Sequence, residues 1–292
     1  MESELDYREI NKYEIYDRLF NKLNNNNDVE EIAKAIIYEI NNDKLLILDL
    51  GIGTGAFSIP IYISLKTQGK GKDIKWLGID KDSEAINKAK EKVKNEKSII
   101  FIEADIEECA FNSKKLQNDL QEFNYNVIFA PAFFHHLVYW DKVLDFFVKK
   151  LSEDGIFVDC EVGGDVHIIL GRWEYVNRND KAVEVWQKVY EKLPVSIVDE
   201  INISNYGILE YKLINEMQFC KSQSITAEVG LKIKESLELL RILSVFKPLS
   251  PQCVSKIRDE VESALESNCA DIKLKYNFRI WKRKTSKVCN GK

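Results

Sequence analysis

The sequence predicts an α/β fold built on a doubly wound, mostly parallel seven-stranded sheet. Short apolar runs alternate with helical or polar segments between residues 45 and 161, and two more strand-like segments follow before residue 282. The first run breaks into a glycine loop, Gly51-Ile52-Gly53-Thr54-Gly55-Ala56. Acids stand at the ends of the first three runs: Asp49, Asp80 and Asp105. Open parallel sheets bind ligands outside the carboxyl ends of their strands, so these scattered acids are expected to converge on one crevice.

Residues 8 to 23 place Ile10, Tyr13, Leu19, Phe20 and Leu23 on one helical face. After the polar break Asn24 to Asn27, Asp28 and Glu31 read as a capping pair for a second helix with Ile32, Ala35, Ile36 and Ile40 inward. Leu45 to Leu48 is continuously apolar, as in a parallel strand buried on both faces. Gly51, Gly53 and Gly55 let the backbone turn tightly and approach a ligand, to which the following helix presents free N–H groups and its positive dipole end. Ile74 to Asp80 is a second strand, and Asp82 or Ser83 caps the helix carrying Ala85, Ile86, Ala89 and Val93. A third buried strand starts at Ile99 and ends in Glu103-Ala104-Asp105-Ile106. The fourth, from Tyr125, reaches Ala130-Pro131-Ala132 and runs into Phe133-Phe134-His135-His136-Leu137. Leu151 to Gly155 turns into a fifth strand that ends near Cys160. Phe219 to Ala227 reads as a strand, Ser236 to Val245 as a helix, and Ser250-Pro251 as the cap and first position of another. Asp271 to Trp281 alternates polar and apolar residues, as a final strand should.

An apolar fraction of 45% over 292 residues is ample for a sizeable core. The net charge of -5 argues against broad nucleic-acid binding; the basic stretch from Lys273 to Lys292 reads as an exposed strand and solvated tail. Six cysteines without CxxC pairs look like reduced thiols, so neither a disulfide framework nor a metal site is expected. The acidic start Met-Glu-Ser-Glu-Leu-Asp is not a secretory signal, and no apolar run approaches the ~18 residues of a membrane span. A cytoplasmic protein is expected.

The glycine loop fits two patterns. Gly51-x-Gly53-x-x-Ala56 suits a dinucleotide, and Asp49-x-Gly51-x-Gly53-x-Gly55 suits S-adenosylmethionine (SAM). Asp80 suits a ribose in either case. The third, fourth and fifth segments decide between them. The loop, Gly78-Ile79-Asp80, Glu103-Ala104-Asp105, His135-His136-Leu137 and the Leu151-x-x-x-Gly155 turn occur in the order found in class I SAM-dependent methyltransferases, which the chain resembles over residues 45 to 161. Residues 240 to 281 are similar, more weakly, to the end of trans-aconitate-methyltransferase-like enzymes.

The resemblance implies a Rossmann-like sheet and SAM as cofactor. Gly51, Gly53 and Gly55 would line its methionine and ribose side, and Asp49 would reach the methionine amino group directly or through water. Asp80 would hold the ribose hydroxyls, with Lys81 beside the adenine. Asp105 would accept from the adenine amino group, Ile106 would pack on the ring, and Ala130 and Phe133 would sit near the sulfonium; Tyr13 or Tyr16 of the amino-terminal helix would stand near SAM, with plain packing as the alternative for both. Residues 1–43 would form a helical cover, 44–161 the SAM core, 162–217 a lid insertion and 218–292 the completion of the sheet. Many relatives carry Asp or Asn where this chain has Ala130-Pro131-Ala132, which removes a polar group from that strand end.

His135, His136, Glu161 and His167 are the candidate bases; capping and packing are the alternative for His135 and His136, and a structural role for Glu161. An Asn-Pro-Pro-Tyr motif for base amines is absent at 130 to 133, and no cysteine follows Pro131. Cys160, at a strand end, is the one candidate nucleophile for a base. The expected acceptor is a small molecule, oxygen before nitrogen, with no nucleic acid, membrane or metal. Methylation of RNA or protein, and a non-catalytic use of SAM, are the alternatives.

Overall fold

Seven strands form one sheet in the order β3-β2-β1-β4-β5-β7-β6. The computed structural model describes residues 13–15, 17–18, 27–40, 42–69, 71–111, 124–164, 206–231 and 272–284, with backbone only at 135, 161–164, 206–208, 228–231 and 272–275. The chain divides into two compact units. The larger comprises Phe20–Glu161, Asn205–Ala227 and Asn277–Lys292. In the smaller, residues 13–15 and 17–18 are helical.

Helix α1, Asp28–Glu39, buries Ile32, Ala33, Ala35 and Ile36. The capping pair expected at its start does not form. Asn27 stands in the left-handed region at φ 60° without a side-chain cap, and Asp28 is already helical. Strand β1, Lys44–Leu50, lies between β2, Asp73–Asp80, and β4, Tyr125–Pro131, both parallel to it. This central place explains its apolar run: Leu45, Ile47, Leu48 and Leu50 are fully buried. Helix α2, Ser58–Gln68, follows the glycine loop. Helix α3, Ser83–Lys92, is capped by Asp82, which accepts the Ala85 N–H, and Ala85, Ile86 and Ala89 face inward as their spacing predicts.

Strand β3, Ile99–Glu103, pairs with β2 alone, at one edge of the sheet. The sequence predicts a buried strand here, but Ile100 is 55% exposed. An edge strand reads as apolar as a central one when its inner face is covered. Helix α4 is Ile106–Phe111 and α5 is Trp140–Val148, joined to β4 through a 3-10 turn at Phe134–His136. Strand β5, Leu151–Gly164, begins at Leu151 itself. The expected turn is a bulge, because its register against β4 passes from Tyr125↔Leu151 to Val127↔Ile156. Cys160 is therefore inside β5 and fully buried, not at a strand end.

Of the expected lid, residues 162–164 instead continue β5, and Tyr206–Tyr211 (α6) with a π turn at Lys212–Glu216 is helical; residues 165–205, and the helices expected at 236–245 and after Pro251, lie outside the described residues. Strands β6, Phe219–Leu231, and β7, Ile272–Arg283, complete the sheet. The Lys284 N–H donates to the Gln218 carbonyl, and Thr226 bonds Asn277, so β6 and β7 run antiparallel. No helix among the described residues is long and apolar enough to cross a membrane.

Candidate functional site

The order of strands reverses between β1 and β4, since β2 and β3 follow β1 on one side while β4 and β5 lie on the other. The carboxyl ends of β3, β2, β1 and β4 therefore stand side by side. The glycine loop, Asp80, Asp105 and Ala130 all lie at these ends.

The loop is fastened to β2. Gly51 N–H and Ile52 N–H both donate to the Ile79 carbonyl, at 2.9 and 3.1 Å. Gly51, Gly53 and Gly55 have φ of 75°, 54° and 72°, the left-handed region that favours glycine. Gly51 lies under the Phe133 ring, where a Cβ would come within 2.2 Å of Cδ2. A Cβ on Gly53 would meet almost nothing; Asp80 Oδ2, at 4.0 Å, is nearest. Gly53 N–H donates to Asp80 Oδ2 at 2.8 Å, and Asp82 N–H to Oδ1 at 2.9 Å. Each carboxylate oxygen has a second lone pair, so Asp80 retains capacity for a pair of hydroxyls. Lys92, at the end of α3, reaches back to the Thr54 carbonyl at 2.9 Å.

Asp49 is wholly buried. Trp76 pairs with Ile47 across β1 and β2, so it shares a sheet face with Asp49 and stands diagonal to it. Its indole N–H donates to Asp49 Oδ2 at 2.9 Å. Asp49 Oδ1 finds no hydrogen-bond partner among the described residues. Burial pushes the Asp49 carboxyl up to about 7, against the Ser58 hydroxyl and the Trp76 hydrogen bond, which favour the ionised form, and with the help of the Asp80 charge.

Asp105 caps α4, its Oδ1 accepting the Glu107 N–H at 2.8 Å, and its Oδ2 lies 3.4 Å from the exposed Lys81 ammonium. Ile106 and Ala130 are buried, and Phe133 is half-buried beside Phe134. Ala132 holds φ 50°, and its N–H donates to the Cys160 carbonyl at 3.3 Å. His136 is exposed at the end of the 3-10 turn. The side chains of His135 and Glu161, and all of Tyr16 and His167, lie outside the described residues. Cys109 is no nucleophile: burial, then the Asp105 charge, pushes its thiol up to about 12. No group of three or more metal-ligating side chains gathers among the described residues.

Sequence reasoning missed two constellations. Trp76 and Ser58 behind Asp49 form one; only the strand register, which no local pattern gives, could have revealed Trp76. The other lies in β5 and β7. Asp159 accepts from Arg279 through both oxygens and from Trp281 Nε1 at 3.1 Å, while Arg279 Nη1 also reaches Glu210 of α6 at 3.2 Å. Asp159 and Arg279 each sit in a strand whose pattern predicts apolar neighbours.

A sheet in this order, with a glycine loop after the first strand and acids at the next two strand ends, defines the class I methyltransferase fold. A methyltransferase-domain family matches residues 41–203, and the chain belongs to that family. It is a SAM-dependent methyltransferase. Among solved structures it is similar to a protein of Bacillus halodurans C-125 described as a candidate methyltransferase (9% identity, 87% of this chain and 99% of that one, TM-score 0.52). It is likewise similar to the YcgJ protein of Bacillus subtilis (13% identity, 89% and 100%, TM-score 0.51). The plantazolicin methyltransferase BpumL, solved with SAH, also aligns (18% identity, 97% and 92%, TM-score 0.44). No curated protein matches the chain.

The residues present fit the cofactor. The open space beside Gly53 admits a close approach to the backbone, and the buried Asp49 Oδ1, without a partner among the described residues, suits a cationic amino group.

Proposed function

We propose that the chain transfers a methyl group from SAM to a small-molecule acceptor, with oxygen, as carboxylate or acidic hydroxyl, ahead of nitrogen. The observation that supports the cofactor side most is the meeting of the glycine loop, Asp80 and Asp105 at adjacent strand ends. When bound, SAM supplies an activated methyl on a good leaving group. The chain's task is then to orient the acceptor in line and keep water out.

Asp80 takes the ribose hydroxyls; Gly51, Gly53 and Gly55 admit the ribose and methionine; Asp49 faces the methionine amino group. Lys81, Asp105 and Ile106 border the adenine, with Ala130 and Phe133 toward the transferred methyl. The end of β4 supports the acceptor class. Ala130-Pro131-Ala132-Phe133 carries no side chain able to take a proton or to grip a base amine. A carboxylate or ionised hydroxyl needs no base, so it suits this apolar rim. An acceptor that carries a proton would call on His135, His136 or Glu161.

SAM or SAH is expected to raise the melting temperature of the chain, and NAD to leave it unchanged. Saturation at a hundred times Kd adds about 2.7 kcal/mol to the native state. No shift with either SAM compound counts against the assignment. A transfer screen over small acids, phenols and amines, read by mass, then tests the acceptor; methylation of amines alone would reverse the preference for oxygen.

A further inference from the structure

Asp49 has two oxygens in different situations. Oδ2 accepts the Trp76 indole N–H at 2.9 Å, whereas Oδ1 is buried without a partner among the described residues. A buried acceptor left unmade costs free energy, so this arrangement is complete only when a donor arrives. The indole is itself fixed. Tyr62 of α2 meets it edge-on at 6.2 Å, and Phe129 of β4 at 5.5 Å. The Ser58 hydroxyl, at the start of α2, also favours the ionised carboxyl. The charged group acting on Asp49 is Asp80, which disfavours ionisation; the Tyr62 hydroxyl is turned to Glu96 at 2.8 Å.

We propose that Trp76 is a positioning residue for the cofactor. It grips one oxygen of Asp49 from behind and leaves the other as acceptor for the ammonium of the methionyl end, directly or through one water, so that binding drives a proton off Asp49. This rests on the SAM reading above. The physical reason is that neither Asp80 nor burial tolerates the carboxylate charge until a cation sits beside it. With the free carboxyl titrating near 7, the cofactor selects its ionised form. Trp76 and Ser58 set how much of that form is ready.

Calorimetric titration of SAH into the full chain, in buffers of different ionisation enthalpy, counts the protons. SAH carries the same ammonium without the sulfonium. Release is expected to be a fraction of a proton that shrinks as the pH rises through about 7. Trp76→Phe keeps a ring but removes the donor. It is expected to move this midpoint up by about one pH unit and to weaken SAH at pH 7 several-fold. If that variant does not fold, Ser58→Ala removes the other donor and should shift the midpoint in the same direction. SAH binding by the unaltered chain with no proton released between pH 6 and 8, or a folded Trp76→Phe chain with unchanged midpoint and affinity, overturns the inference alone. Failure of the unaltered chain to bind SAH at all brings down the cofactor assignment, and this inference with it.

Discussion

Glycines that look alike in the loop do different things. Gly51 is held by packing, because any Cβ would strike the Phe133 ring at 2.2 Å. Gly53 has room for a Cβ, the space that a bound cofactor would need. Gly53→Ala is therefore expected to fold, with a backbone penalty of about 1–2 kcal/mol for its left-handed φ, and to lose SAH affinity by more than tenfold. Gly51→Ala should lower the melting temperature further, since a rigid ring must move. Melting curves and SAH titrations of the two variants check the contrast, and equal SAH affinity in Gly53→Ala and the parent would place the cofactor away from this backbone. The three glycines were legible from their close spacing, and Asp80 from its place at the end of a short apolar run. Trp76 was not, since its relation to Asp49 is a register between strands.

Among elements, β5 and β7 are joined by more than backbone. The Asp159–Arg279 pair lies in the interior, with both side chains almost wholly buried, and Trp281 Nε1 and Glu210 use up further valences. Removing one partner of such a pair leaves an uncompensated charge. Arg279→Met is expected to cost about 3–5 kcal/mol in denaturant unfolding. The double change Asp159→Leu with Arg279→Met should recover part of that loss, less the Trp281 N–H that it orphans. A cost below about 1 kcal/mol for the single change would mean that water reaches the pair. The alternating pattern of β7 made the strand readable but did not show that Arg279 points inward. Similarly, apolar Ile99 to Ile102 announced β3 as a strand while hiding its place at the edge.

Across the whole molecule, Asp49 sets a slope of stability against pH. Its folded value, about 7, lies above the ordinary 3.8, so between these pH values the native state holds the extra proton. Stability is then greatest below the ordinary value and falls as pH rises, by up to about 1.4 kcal/mol per pH unit, until the group ionises in both states. Glu39 acts in the opposite sense. Burial would raise its carboxyl, but hydrogen bonds from Lys282, Gln223 and Ser222 outweigh this and lower it, so its contribution is lost as pH falls. Asp49→Asn is expected to flatten the melting temperature between pH 5 and 7 relative to the parent; parallel curves would mean that Asp49 is ionised throughout. The sequence by itself determined the strands, their alternation with helices and the family, because hydrophobic period, glycine spacing and strand-end acids are properties of short stretches. Only the tertiary structure decided which strand lies at the edge, which oxygen of Asp49 is taken and how Arg279 is neutralised. Those depend on residues 27 to 120 positions apart brought together by register, and register is fixed by the burial of whole faces rather than by any local pattern.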